Sequence, residues 1–219
     1  MSEATAAAES KAPAKRKSGG GSSLFLAMLP LLLLFAAVAV LYWLTVKDGA
    51  TTYKYWEYLI PAVAVISLVS GWGQSYLSGE LRIWYLIKQV LHWGGLVAVL
   101  YLFNTQGVRE TLGDQQYTSV VIYLLAFTTL LAAIHMDLKL LFFAAFLVFC
   151  GYLMAVPADN PALTFIGDTF KDADATAKPV AVSIGVAVVG FIASLFILMI
   201  MRGALMSKRA SAKRAELGP

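Results

Sequence analysis

The chain has 219 residues, of which 59% are hydrophobic and only 14% are charged, with a formal net charge of +4. A soluble globular domain is closer to half apolar and a quarter charged, so this composition argues against a soluble protein and for the lipid bilayer as solvent. The basic residues stand beside hydrophobic runs, as membrane topology requires, which argues against nucleic acid as a partner.

The N-terminal segment 1–23 is a basic tail rich in Ala, Ser, Gly and Lys that ends in KSGGGSS. It has too few apolar side chains to bury a core, so we expect it to be disordered. The apolar run at 24–46 is longer than the hydrophobic region of a secretory signal, and no convincing cleavage site follows it. We therefore interpret this run as an uncleaved first transmembrane helix.

Six apolar runs follow one another along the chain, and each is near the ~20 residues that a bilayer-spanning helix needs. We predict an all-α polytopic membrane protein with a six-helix transmembrane domain over 24–201 and a basic cytoplasmic tail over 202–219. The six runs lie at 24–46, 57–77, 82–103, 117–136, 138–156 and 179–201.

The distribution of basic residues predicts the orientation of these helices. Six spans place both termini on one side of the membrane. If that side is the cytoplasm, the inner segments hold eleven Lys and Arg residues and the outer segments hold five, and Lys88 lies inside a span. Cytoplasmic loops carry an excess of Lys and Arg, so we predict cytoplasmic N- and C-termini. On the assumption of a bacterial source, the membrane is the cell inner membrane.

The connections between the predicted helices differ in length on the two sides. SGE and HMD are tight inner hairpins, whereas the outer connections at 47–56, 104–116 and 157–178 are longer. The last outer connection carries apolar side chains that are suited to rest on the membrane surface, namely Leu163, Phe165, Ile166 and Phe170.

The third predicted helix carries a lysine and a histidine inside an apolar sequence. Tyr85, Lys88, His92 and Gly95 are spaced 3, 4 and 3, which places them on one helical face. Polar residues in a span usually face other helices or a water-filled cavity. We therefore predict a polar cluster between the second, third and fourth helices, formed by Ser67, Gln74, Lys88, His92 and Thr128.

The sequence is compatible with more than one role for this cluster. Lys88 lies roughly 10 Å into its helix, from where a lysine reaches the headgroups as an anchor. His92 lies roughly 15 Å deep and is either a structural histidine or part of a proton or ligand pathway. His135 is offset from it by about 15 Å along the helix axis, which argues against one haem shared by both. We expect no cofactor and no metal.

The motifs of common enzymes do not occur in the sequence. There is no nucleotide-binding loop, no zinc-protease motif and no serine-hydrolase motif, so we expect no catalytic residue. No Asp or Glu lies within a predicted span, and Glu57 stands only at the edge of one. Coupled transport commonly uses an embedded carboxylate, so its absence weakens a transport hypothesis.

The sixth predicted helix carries a strip of small residues. Strips of this kind let helix backbones approach each other closely. The strip either packs within the chain or receives the helix of a protein partner or of a second copy. Its members are spaced 4, 3 and 4, and they are Ser183, Ala187, Gly190 and Ser194.

Three functional hypotheses follow from these patterns. The first is a non-catalytic membrane protein that serves as a scaffold or accessory subunit of a larger membrane complex, with the sixth helix as its contact. The alternative is a channel or carrier for a small solute or a proton, lined by the predicted polar cluster. A haem- or quinone-binding redox subunit comes third.

Overall fold

A computed structural model of the protein describes residues 20–78, 82–156, 160–171 and 174–216, with the backbone alone at 20–27, 50–51, 70–78, 82, 202, 205–206, 208–210 and 212–216. These residues fold almost entirely into helices, because a backbone in lipid must satisfy its polar groups within the segment itself. No β-strand occurs in these ranges. The helices are α1 (Gly20–Asp48), α2 (Tyr53–Ser78), α3 (Arg82–Thr105), α4 (Val108–Leu112), α5 (Asp114–His135), α6 (Leu141–Ala155), α7 (Pro161–Phe170) and α8 (Pro179–Glu216).

Five helices in the described part of the chain are long and apolar enough to cross a membrane. They confirm the prediction of an all-helical protein with several helices that can span a membrane. The remaining predicted span, at 57–77, falls within α2, which has 26 residues. The five candidate spans are Met28–Asp48, Ile83–Thr105, Asp114–His135, Leu138–Ala155 and Pro179–Met201.

Helical structure extends beyond the predicted spans at both ends of the chain. α1 begins at Gly20, so residues 20–23 of the predicted tail are helical. The rest of that tail, 1–19, lies outside the described residues. α8 continues to Glu216, because the segment after Met201 is rich in Ala, Lys and Arg, which favour helix. The basic C-terminal tail is therefore largely a continuation of the last helix.

Two short helices occupy segments that the sequence pattern suggested were loops. α7 begins where the Asn160 side chain accepts a hydrogen bond from the Ala162 amide at 2.9 Å, with Pro161 in the first turn. Both residue types favour a helix start. The Asn160 amide group also donates to the Val156 carbonyl at 2.7 Å, which fixes α7 to the end of α6. α7 buries Leu163 and exposes Phe165.

The centre of the bundle is formed by α5 and α6, with α1 and α8 packed against α6. Of the α5 span 61% is buried, against 17% of the α3 span. The Phe35 ring of α1 lies 5.3 Å from the Phe143 ring, 5.5 Å from the Phe146 ring and 6.1 Å from the Phe191 ring. α3 is therefore a peripheral helix that packs on α2 and α5 along one side only.

The loop side of the bundle, called the α7 end below, is where α1 and α6 end and α5 begins. There the Trp56 indole donates to the Thr45 hydroxyl at 3.0 Å, which ties α2 to α1. The Arg109 guanidinium lies 3.8 Å from the centre of the Tyr53 ring and donates to the Asp114 carboxylate at 2.8 Å. That hydrogen bond raises the pKa of Arg109 above its ordinary value.

Candidate functional site

The structure brings two of the five predicted cluster residues into direct contact. The His92 Nε2 atom of α3 lies 2.8 Å from the Thr128 carbonyl oxygen of α5. Because a carbonyl oxygen only accepts, Nε2 is the protonated nitrogen and His92 donates this bond. The contact uses the Thr128 backbone rather than its hydroxyl. It joins α3 to α5.

Ser67 takes part in a different set of hydrogen bonds, and only through its backbone carbonyl, which accepts from the Tyr85 hydroxyl at 3.4 Å. The Tyr85 hydroxyl donates to the Leu68 carbonyl at 3.1 Å, next to Ser67, and it accepts from the Gln89 amide group at 2.9 Å. The Trp93 indole in turn donates to the Gln89 side-chain oxygen at 2.8 Å. A chain of hydrogen bonds therefore runs along the buried face of α3 and ends on α2.

Gln89, which the predicted cluster does not include, lies on the buried face of α3. Its side chain is 2% exposed and holds both Tyr85 and Trp93. The spacing of 4 between Tyr85, Gln89 and Trp93 is a helical repeat. This spacing, together with the ability of all three side chains to form hydrogen bonds, is the feature of the sequence that marks the side of α3 facing the bundle.

The remaining cluster residues are not gathered with these two sets. Lys88 is exposed, and its ammonium lies 6.0 Å from the centre of the Trp84 ring, one turn toward the start of α3. Gly95 is exposed as well. The predicted face thus splits, with Tyr85 inside, Lys88 and Gly95 outside and His92 at the boundary. The side chain of Gln74 lies outside the described part of the chain.

Two buried hydroxyl groups near this region make no hydrogen bond to any described residue, those of Ser67 and Thr129. Four cavities in the described ranges have linings that contain neither these hydroxyls nor Lys88, His92 or Thr128. The hydrogen bonds of Tyr85 and His92 thus join α3 to α2 and α5, whereas these two hydroxyls take part in none.

The small-residue strip of α8 faces the interior of this chain. Ser183 and Ser194 are fully buried, and Ala187 is 6% exposed. A Cβ atom placed on Gly190 would lie 3.0 Å from the Phe35 ring and 3.7 Å from the Phe142 carbonyl oxygen. The strip is therefore filled by α1 and α6 of the same chain.

A second strip of residues at helical spacing lies on α3, on a side away from its buried face. Its members are spaced 4, 3, 4, 3 and 4, and all of them are exposed. A Cβ atom on Gly95 would meet nothing within 4 Å. We call this set the exposed stripe of α3, and it consists of Trp84, Lys88, Leu91, Gly95, Ala98 and Leu102.

A cavity of about 400 Å³ lies at the α7 end and is called the α7-end cavity below. Its walls come from the ends of α1 and α6, the start of α5, Leu163 of α7 and Pro179 of α8. The lining residues are Tyr42, Thr45, Val46, Gly49, Asp114, Gln115, Thr118, Leu153, Met154, Leu163 and Pro179. It combines apolar walls with hydroxyl, amide and carboxylate groups, which is typical of sites for small ligands.

The opposite end of the bundle contains a buried ion pair in the turn between α5 and α6. The Lys139 ammonium lies 3.0 Å from the Asp137 carboxylate, and both side chains are buried. The positive-inside count treated Lys139 as a residue of an inner loop, whereas the structure encloses it. No group of three or more His, Cys, Asp or Glu side chains suited to a metal ion occurs among the residues that the structure describes.

Comparison of this chain with protein-family models, with curated proteins and with solved structures gave no match.

Proposed function

We propose that this chain is a non-catalytic subunit of a larger membrane complex, an accessory or scaffold protein that docks through the exposed stripe of α3. The observation that carries this proposal is the position of Lys88. It is a charged residue within a candidate span, and it lies on the exposed side of a helix that is only 17% buried. In the isolated chain this side of α3 faces lipid.

Charged groups within spans usually face the interior of a helix bundle, because burial in hydrocarbon is costly. For a lysine at the centre of a span the cost is about 2.5 to 3.5 kcal/mol. Lys88 lessens it by extending back toward Trp84, where the headgroups begin. A partner helix that covers this side of α3 would take the Lys88 side chain out of contact with lipid, which supports a heterologous partner.

The spacing of the exposed stripe also suits a helix as the neighbour. Alternating steps of 4 and 3 keep side chains along one seam of two helices that cross at about 20°. Gly95 and Ala98 lie in this seam and leave room for the backbone of a second helix to approach. This proposal therefore places the contact with the partner on α3, whereas the sequence pattern had suggested α8.

The proposal includes six spans, cytoplasmic termini and the cell inner membrane. α2 supports the sixth span, since its 26 residues extend about 39 Å at the helical rise. The excess of Lys and Arg in the segments on one side supports the orientation.

The experiment that tests the proposal is native mass spectrometry of the protein after gentle extraction from its own membranes. A defined complex with a different protein is the expected result. Gly95→Leu and Ala98→Leu should each reduce the recovered complex severalfold, because the larger side chains separate the two helices. Val97→Leu on another exposed side of α3 is the matched control and should leave recovery unchanged. A lone monomer or a homo-oligomer contradicts the proposal.

A carrier for a small solute or a proton is the second candidate. The buried hydroxyl groups of Ser67 and Thr129 favour it, since they have no partner among the described residues and a bound solute or water would satisfy them. Flux into liposomes that contain only this protein tests it. His92→Leu should abolish the flux while the fold is retained, and a stable protein without flux contradicts it.

A further inference from the structure

The bundle covers α7 along only one of its sides. Leu163 is 3% exposed and packs within the bundle, whereas Phe165 is 70% exposed and Phe170 is 75% exposed. The sequence pattern grouped these three side chains on one surface, and the structure separates Leu163 from the two phenyl rings. Large apolar side chains are stabilised when they leave water, so two exposed rings on a helix of ten residues mark an interaction surface.

The exposed rings share one side of α7 with a third apolar residue. A helix turns by about 100° per residue, which places Ile166 between Phe165 and Phe170 around the helix axis. The charged residues, Asp168 and the Lys171 that follows the helix, lie on the other side. α7 is therefore amphipathic, and its apolar side extends beyond the part that the bundle covers.

Two candidate spans fix the level at which α7 begins. The span that contains α6 ends at Ala155, and the span of α8 begins at Pro179, so α7 lies in the connection between them. The Asn160 amide group donates to the Val156 carbonyl at 2.7 Å and to the Tyr152 carbonyl at 3.4 Å. These bonds hold the start of α7 at the end of α6, where a span reaches the lipid head groups.

The surroundings of α7 favour lipid as the material that covers its apolar side. The adjoining ends of the spans expose apolar side chains as well, since Val156 is 38% exposed and Ile184, near the start of α8, is 48% exposed. Lipid surrounds spans of this kind. The charged groups after α7 stay in water, because Asp174 and Lys178 form an exposed ion pair at 2.8 Å. A bilayer surface thus matches both sides of α7.

We propose that α7 is an interfacial helix that binds the surface of the bilayer, with Phe165, Ile166 and Phe170 inserted among the acyl chains. The charges of Asp168 and Lys171 cancel within segment 161–171. The binding therefore comes from apolar contact rather than from attraction to anionic lipids. This surface lies on α7 and does not depend on the docking function proposed for α3.

The test attaches a nitroxide spin label to single cysteines of the full-length protein in phosphatidylcholine liposomes. Phe165→Cys and Phe170→Cys replace exposed side chains, and Asp168→Cys on the other side of α7 is the matched control. The native Cys150 is buried, and the wild-type protein measures any background labelling. Oxygen concentrates in hydrocarbon and a nickel chelate stays in water, so collisions with each reagent locate the label.

The labels on the two sides of α7 should differ. Those at Phe165→Cys and Phe170→Cys should collide with oxygen and be protected from nickel, at a depth of about 5 to 10 Å. The label at Asp168→Cys should collide with nickel. Equal nickel collisions at all three positions overturn the proposal, because the apolar side would then lie in water. Few collisions with either reagent at Phe165→Cys and Phe170→Cys also overturn it, because protein rather than lipid would then cover this side.

Two further measurements test the apolar mode of binding. The depth of the label at Phe165→Cys should stay the same when phosphatidylglycerol is added to the liposomes, and a label that reaches hydrocarbon only with this anionic lipid overturns the proposal. Phe170→Ser, combined with Phe165→Cys, should move the label toward water and raise its nickel collisions. Asp168→Ser in the same background should not. An unchanged depth in the Phe170→Ser protein overturns the role given to the rings.

Discussion

The Tyr117 hydroxyl of α5 donates a hydrogen bond of 2.6 Å to the Glu57 carboxylate of α2. Tyr117 is 1% exposed, and its ring also packs edge-on against the Tyr53 ring with 6.2 Å between centres. The bond joins a central helix to the α2–α3 pair at the α7 end. It holds in place the pair of helices that carries the exposed stripe.

Removal of this hydroxyl tests how much the bond contributes. Tyr117→Phe should lower the free energy of unfolding by about 1 to 2 kcal/mol, because a hydrogen bond to a charged group is lost while the partly exposed Glu57 regains water. Tyr58→Phe is the control, since Tyr58 is 71% exposed, and it should change stability little. Reversible unfolding in mixed micelles measures both, and equal effects of the two variants contradict this account.

The contributions of Asp137 and Lys139 to the free energy of unfolding should depend strongly on each other. Replacement of one partner leaves the other charge buried, so Lys139→Met and Asp137→Asn should each cost about 3 to 5 kcal/mol. The double variant should cost clearly less than the two single costs together. A double-mutant cycle of unfolding free energies measures the coupling. Additive costs would show that the two charges do not stabilise each other.

The small-residue strip of α8 predicts a difference between two glycines of the same helix. Gly190→Leu should destabilise the fold by about 1 to 3 kcal/mol, because the new side chain meets a Phe35 ring that three other rings already surround. Gly185 is exposed with open space around it, so Gly185→Leu should be neutral or stabilising. Thermal unfolding compares the two. A stable Gly190→Leu protein would mean that α8 does not pack on α1 as described.

The hydrogen-bond chain along α3 predicts different effects for adjacent positions. Gln89→Leu should cost about 2 to 4 kcal/mol, since it removes the bonds that hold both Tyr85 and Trp93 in a buried region. Lys88→Met lies one residue earlier on the exposed side and should cost clearly less than Gln89→Leu. Unfolding in detergent measures both. A larger effect at Lys88 than at Gln89 would contradict the inward face described for α3.

Two engineered cysteines test the proposed orientation. Thr105 and Ser207 are exposed near opposite ends of the bundle, and the one native cysteine, Cys150, is buried. In intact cells a membrane-impermeant maleimide should label Thr105→Cys, whereas Ser207→Cys should react only after permeabilisation. The wild-type protein is the control and should stay unlabelled until it is denatured. The reverse pattern would place the termini outside.

The sequence by itself determined the membrane character and the positions of the long helices. Runs of about 20 apolar residues have few other stable conformations in lipid, because each backbone polar group needs a partner within its own helix. The tertiary structure was needed to decide which side of each helix faces its neighbours. A span is apolar all round, so its sequence lacks the polar face that marks the exposed side of a helix in a soluble protein.

The polar residues show this limit most clearly. The spacing of Tyr85, Lys88 and His92 permitted one shared face, but the inward direction passes through Gln89, and that places Lys88 outside. Similarly, the small residues of α8 predicted close packing against another helix. Only the structure, in which the Phe35 ring lies against Gly190, shows that this helix is α1. The α7-end cavity could not be predicted at all. Its walls come from five helices, among them α1 and α8 from opposite parts of the chain, and contacts between distant segments exist only once the chain has folded.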